Sequence, residues 1–360
     1  MVNRIYTMIS ILLMSDIHFG TDKALPYIDD SVRFATFQRI CTIAKQHTIF
    51  IIAGDLFEGT IAQNPYYNSV KELMQSLLQE GVKIIYIPGE AELEDTKNID
   101  AIYEIPSTVT LFGRMGNYCD LAFDKEIVYV YGGDSDIKST AKVSREGFHI
   151  GIFHIDLEEN NHNSADTQAV SVKLLKSMPL DFYALGHHHY FSLYKYKNKI
   201  IGAYPGSPEA VTLDETGDRY ILSITVMNNE IHQIKRITVN SLRIESLTIQ
   251  CDTVHSNDEL HELLKPYNKP SIVLRCTLQG VRSFDSHHIV AVCNRCAGVM
   301  LQDNSKLSGE FICAMYKDEK TLKGYFFTEL QKDLENINGD IMLDIINDIE
   351  NTCSTYKGDL

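Results

Sequence analysis

Short apolar runs, each ending in a polar pair, dominate the first part of the chain. Ile5 to Met14 is apolar enough for a buried strand and runs into Ser15-Asp16-Ile17-His18. Ile49 to Ala53 runs into Gly54-Asp55-Leu56-Phe57-Glu58, and Val82 to Ile87 into Pro88-Gly89-Glu90-Ala91-Glu92. Continuous runs of this length suit strands covered on both faces. Between them the apolar spacing becomes helical. Asp30 is expected to cap a helix reaching about His47, with Val32, Phe37, Ile40, Cys41 and Ala44 on one face. Asn64-Pro65 opens a second helix carrying Val70, Leu73, Met74, Leu77 and Leu78, closed by Gly81. The order β, α, β, α, β with short connections predicts an α/β sheet covered by helices.

After an irregular stretch, Glu126 to Tyr131, Phe148 to Phe153 (followed by His154), Asp181 to Leu185 and Ile200 to Tyr204 read as further strands. Ala169 to Met178 reads as a helix, and Glu158 to Asp166 as a polar loop. Arg219 to Met227 and Ile231 to Val239 form an expected hairpin about Asn228-Asn229. Beyond Asn240 the character changes: Leu242 to Cys251, a helix from Asn257 to Lys265 and Ser271 to Leu278 make a small β-α-β unit, and Lys320 to about Cys353 is mostly helical in pattern. A chain of 360 residues is longer than one core usually supports. Two domains are therefore expected, over residues 1–240 and 241–360.

Composition narrows the class. No apolar run reaches the length of a membrane span, and eight cysteines without a framework spacing fit reduced thiols, so a cytoplasmic protein with no membrane association is expected. A net charge of -15 argues against a generally basic, nucleic-acid-coating surface, though not against a local one; Lys195, Lys197 and Lys199 fit a solvated strand with alternating lysines better than a phosphate-contacting edge. Cys293-Asn294-Arg295-Cys296 has the spacing of half a zinc site, but no second pair follows, so free thiols are the preferred reading.

The stretch Ala184-Leu185-Gly186-His187-His188-His189 asks for a metal, since residues two apart on an extended segment share a side, which puts His187 and His189 together and turns His188 away. Asp16, His18, Asp55, Glu90, His154, His187 and His189 all stand at the carboxyl ends of expected strands, where α/β folds gather their ligands. Mixed carboxylate and imidazole donors, with Asp55 able to bridge, are what two adjacent divalent ions require.

Asp16-x-His18, Gly54-Asp55-x-Phe57, Gly151-x-x-His154 and Gly186-His187-x-His189, in this order, resemble the calcineurin-like metallophosphoesterases. Gly54-Asp55-Leu56-Phe57, Tyr183 to His189 and Tyr204-Pro205-Gly206-Ser207-Pro208 are similar to the DNA double-strand-break repair exonuclease branch, of the SbcD and YhaO type. The resemblance is strong over roughly residues 5 to 227 and weak beyond. It implies a four-layered α/β/β/α sandwich with a small α+β capping domain and a helical carboxyl-terminal segment. It further implies two divalent ions, manganese in that branch. One would be held by Asp16, His18, Asp55 and His189, the other by Asp55, Glu90, His154 and His187. DNA as substrate, an SMC-like ATPase partner and a homodimer are the partners expected.

The third motif departs from the family's Gly-Asn-His-Asp. Here it reads Gly89-Glu90-Ala91-Glu92: Glu90 keeps an oxygen donor but adds a negative charge, and Ala91 cannot contact phosphate or assist the leaving oxygen. Loss of such an acid commonly costs about 10²- to 10⁴-fold in rate. Asp55, Glu90 and His188 are the candidate catalytic residues, His188 or His162 being a possible replacement imidazole. The function expected is a metal-dependent phosphodiesterase or DNA exonuclease. The alternative is a catalytically impaired homologue that binds DNA or the ATPase.

Overall fold

The structure is a computed structural model describing residues 8–22, 25–110, 117–123, 126–132, 146–158, 170–171, 180–333, 344 and 348. The chain forms two compact units, Met1–Arg243 and Ile244–Leu360.

In the first unit, β1 (Met8–Met14), α1 (Asp30–Ala44), β2 (Ile49–Ala53), α2 (Tyr67–Gln79) and β3 (Lys83–Ile87) follow the order predicted from the apolar runs. Short helices α3 (Glu90–Leu93) and α4 (Asn98–Tyr103) lead to β4 (Val109–Thr110). Next come β5 (Asn117–Phe123), β6 (Glu126–Gly132), β7 (Phe148–His154), β8 (Leu157–Glu158), β9 (Val170–Ser171) and β10 (Phe182–Gly186). The unit closes with β11 (Ser192–Tyr196), β12 (Lys199–Tyr204), β13 (Tyr220–Met227) and β14 (Glu230–Thr238).

Two six-stranded sheets result, ordered β14-β13-β1-β2-β3-β4 and β11-β12-β10-β7-β6-β5. Strands β1, β2 and β3 run parallel, as do β6, β7, β10 and β12, so within each sheet their carboxyl ends share one edge. Alternation along β1 sends Ile11 and Leu13 between the sheets, against residues such as Ile150, Ile152 and Ala184, and sends Leu12 and Met14 toward the helices. Phe37 and Ile40 of α1 and Val70, Met74 and Leu77 of α2 complete that outer layer. Each such side chain, fully buried, contributes roughly 1.5–3 kcal/mol. The far face of the second sheet carries Tyr129, Phe153, Tyr183, Leu185 and Tyr204.

Several expectations are corrected. The cap of α1 is Asp29, whose carboxylate accepts from the amides of Ser31 and Val32. Asp30 instead accepts from Gly20 N and Asn64 Nδ2, tying the loop after β1 to the approach to α2. Of the helix expected over 169–178, Val170–Ser171 is a strand paired with Leu157–Glu158, and the remainder lies outside the described residues. The irregular stretch before Glu126 contains β5, antiparallel to β6.

The second unit is α+β. It pairs Arg243–Gln250, Ile272–Gln279 and Gly298–Asp303 in one sheet, with helices Asn257–Leu264, His287–Val292, Gly309–Tyr316 and Leu322–Asp333. Its core gathers Leu260, Leu264, Leu274, Cys276, Leu278 and Ile289. Most of the helical stretch expected to about Cys353 lies outside the described residues. Among those described, no helix is long and apolar enough to cross a membrane.

Candidate metal centre

The loops leaving β1 and β2 are zipped together: Asp16 N donates to Gly54 O, His18 N to Asp55 O and Phe19 N to Leu56 O, each at 3.0 Å. Asp16, His18, Asp55 and His187 hold φ angles of 56°, 53°, 51° and 98°. Left-handed backbone of this kind costs on the order of 1–3 kcal/mol per residue and concentrates at functional sites. The loops approach so closely that two positions need glycine. A Cβ on Gly54, itself at φ 89°, would stand 2.1 Å from His154 Nδ1, and one on Gly186 would stand 1.7 Å from Ala53 O.

Two donor groups converge at this rim, Asp16 with His18 and His189, and Asp16 with Asp55 and His154, each with its ligand atoms within 4.8 Å of one another. His18 Nε2 and His189 Nε2 face each other at 3.2 Å. Asp55 Oδ2 lies 3.5 Å from His18 Nε2 and 3.2 Å from His154 Nε2, so this carboxylate stands between the groups. Each imidazole is oriented through its other nitrogen: His18 Nδ1 by Glu58 at 3.1 Å, His189 Nδ1 by Glu215 at 2.8 Å, His154 Nδ1 by the Ala53 carbonyl at 2.9 Å. Metal-bound histidines are held in this way, the outer N–H given to a carboxylate or carbonyl.

Asp16 Oδ2 and His154 Nε2 are buried without a hydrogen-bond partner. An unsatisfied buried group costs about 1–3 kcal/mol. Here both atoms belong to one donor cluster. Burial alone would raise the Asp55 carboxyl and lower the His154 imidazole, but the attraction between them overrides it, holding Asp55 below the carboxylate range and His154 above the histidine range. Oxygen and nitrogen donors, a shared carboxylate and orphaned ligand atoms fit divalent cations.

Supporting residues surround the donors. Burial pushes Glu215 up, but His189, the Ser207 hydroxyl and Arg219 outweigh it and hold the carboxyl at about 2. Arg219, itself buried, donates to the carbonyls of His189 and Ser207 and fixes that loop. Buried Arg33 does the same between Asp16 and His18, donating to Ile17 O at 3.0 Å. Glu92 accepts from Gly89 N, Phe57 N and the Tyr86 hydroxyl, and burial, then the charge of Asp55, push it up to about 7.

Of the seven expected ligands, Asp16, His18, Asp55, His154 and His189 come together, while His187 and Glu90 stand outside both donor groups. The His187 ring lies 5.4 Å from that of His154 and its amide donates to Asp16 Oδ1 at 3.0 Å. Glu90 Oε2 is 4.0 Å from His187 Nδ1, with the Glu90 side chain 50% exposed. Alternation on an extended segment is not what arranges the three histidines: β10 ends at Gly186, and His187 turns the chain with its positive φ. His188 meets Asp156 Oδ1 at 2.5 Å and packs edge-on against Tyr204. His162 lies outside the described residues. Cys293 and Cys296 are free thiols and belong to neither group. Glu215, Arg33, Arg219 and Asp156 carry supporting roles that no motif announces, and Glu58, though it ends the run Gly54-Asp55-Leu56-Phe57-Glu58, has a role that the sequence alone does not assign.

The model of the calcineurin-like phosphoesterase family matches residues 9–191, just over half of the 360, and the chain belongs to that family of metal-dependent hydrolases. No curated protein matches it. Among solved structures, TT1561 of Thermus thermophilus is 11% identical with a TM-score of 0.40, over 65% of this chain and 100% of that one. Another is 15% identical with a TM-score of 0.35, over the same shares. At these values neither likeness bears on function.

Proposed function

We propose that the chain is a two-cation phosphodiesterase that cleaves DNA, of the repair-exonuclease kind its motifs resemble. The observation carrying this reading is the convergence of Asp16, His18, Asp55, His154 and His189 around two orphaned ligand atoms. Asp16, His18, Asp55 and His189 would hold one ion; Asp55, His154 and His187 would hold the other, with Glu90 as a further oxygen donor beside His187. Divalent cations, manganese in the branch resembled, supply Lewis acidity toward the phosphate and an acidified water as nucleophile. The chain's own share is positioning. Glu58, Glu215 and the Ala53 carbonyl fix three imidazole rings, and Arg33 and Arg219 pin the loops that carry them. His188, hydrogen-bonded to Asp156 and outside the donor groups, is the imidazole available to give a proton to a departing oxygen, a task Ala91 cannot perform. DNA, an SMC-like ATPase and a second copy of the chain are the partners this reading proposes.

Glu90 and Ala91 favour a second reading, a catalytically impaired subunit that keeps its ions and binds DNA or the ATPase. Manganese-dependent hydrolysis of single-stranded DNA and of a simple phosphodiester separates the two. The enzyme reading expects both substrates to be cleaved by wild type and neither by Asp55→Ala; equal background rates in the two proteins leave only the binding subunit.

A further inference from the structure

The geometry points to a second substrate contact: Arg236 forms an anion subsite for a phosphate neighbouring the scissile one in a phosphodiester chain. This rests on the phosphodiesterase reading above and specifies how the substrate is held. A cavity of about 220 Å³ has His189, Tyr190, Phe191, Arg219, Tyr220 and Arg236 in its wall, so it shares His189 with the metal centre. The Arg236 guanidinium lies 4.9 Å from the Phe191 ring centre and 4.8 Å from that of Tyr220. These rings meet edge to face at 6.3 Å. Two aromatic contacts hold a planar fork of donors in place, the form in which arginine recognises phosphate.

No acid neutralises this arginine among the described residues. Asp218, in the wall of the same cavity, pairs with Arg243 at 3.0 Å, and Glu215 is taken by Arg219 and His189. In a chain of net charge -15, an exposed arginine held beside the centre without a carboxylate is placed for an external anion. Strand register sets the reach. Leu13 pairs with Leu222, and Leu222 with Arg236, so Arg236 sits two strands across from the row that leads into Asp16. Two strand spacings are about 10 Å. Along one strand of a duplex the rise is about 3.4 Å per phosphate, and an extended single strand spaces its phosphates more widely, so a chain with a phosphate at the metal centre reaches Arg236 within a few units, whereas a substrate with one phosphate cannot occupy both.

Fluorescence anisotropy of a labelled single-stranded oligonucleotide, in chelator to prevent cleavage and across a salt series, tests the subsite. Arg236→Gln is expected to weaken binding about five- to tenfold and lower the log–log salt slope by about one, while Arg236→Lys keeps the slope. Absence of binding by wild type, or an Arg236→Gln slope equal to that of wild type, overturns the proposal. Hydrolysis of bis-nitrophenyl phosphate, which carries one phosphate, should be the same in wild type and Arg236→Gln; a loss there would mean a disturbed metal centre and also overturns it. If wild type cleaves no phosphodiester, the parent reading fails while the binding measurement still decides Arg236.

Discussion

Glu58 and Glu215 set the rings of His18 and His189 from behind, and their removal isolates that contribution. Glu58→Gln should weaken divalent-ion affinity about ten- to hundredfold, read by competition with a chromogenic chelator, with little change in fold, whereas Glu215→Gln should weaken it likewise and also destabilise the loop by leaving buried Arg219 without its carboxylate. An affinity equal to wild type would deny the orienting role. Opposite them, Glu90→Asn with Ala91→His should raise turnover by at least about tenfold if the altered third motif is what limits the chemistry; no gain in steady-state rate would sink that explanation. The donors themselves were legible because each follows an apolar run and keeps a short spacing, as Asp16-x-His18 does. Their supports were not. Glu215 is one of 48 acids, in a loop whose approach to His189 depends on a strand pairing that no local pattern displays. The direction of Glu90 was not legible either, because position in a motif does not fix it: on α3 it is Glu92 that turns inward and Glu90 that stays at the surface.

Among the elements, the parallel strands were the most readable, since burial on both faces leaves a continuous apolar signature, and β2 coincides with the predicted Ile49 to Ala53. Ends and turns were less readable. Asp29 and Asp30 are equally good capping residues in sequence, and only the turn geometry selects the first. The stretch 169–178 has helical spacing, yet Val170–Ser171 joins Leu157–Glu158 because a nearby strand offers its hydrogen bonds. The tight entry into the histidine turn gives a sharp prediction. Gly186→Ala forces a methyl group against Ala53 O, which is rigid backbone of β2, so about 2–4 kcal/mol of unfolding free energy should be lost in denaturant titrations. A loss below about 0.5 kcal/mol would show that the two loops separate easily.

At the scale of the whole molecule, pH and metal act on the same folded state. Burial pushes the Glu209 carboxyl from 4.5 up to about 7, against opposing hydrogen bonds from Thr36 and Ser241. Between those two values the folded chain holds a proton that the unfolded chain has released, so stability falls as pH rises through that window and the contribution is constant outside it. Thermal unfolding in chelator should show Glu209→Gln lacking that part of the fall; parallel curves for variant and wild type would contradict it. Metal acts by mass action, adding stability in proportion to the logarithm of ion concentration over its dissociation constant. The central claim is that one rim of the sandwich binds a pair of divalent ions through Asp55, and elemental analysis of manganese-loaded, desalted protein tests it most directly. The account predicts about two ions per wild-type chain and at most about one in folded Asp55→Ala; equal metal content in the two proteins, or none in wild type, would contradict it.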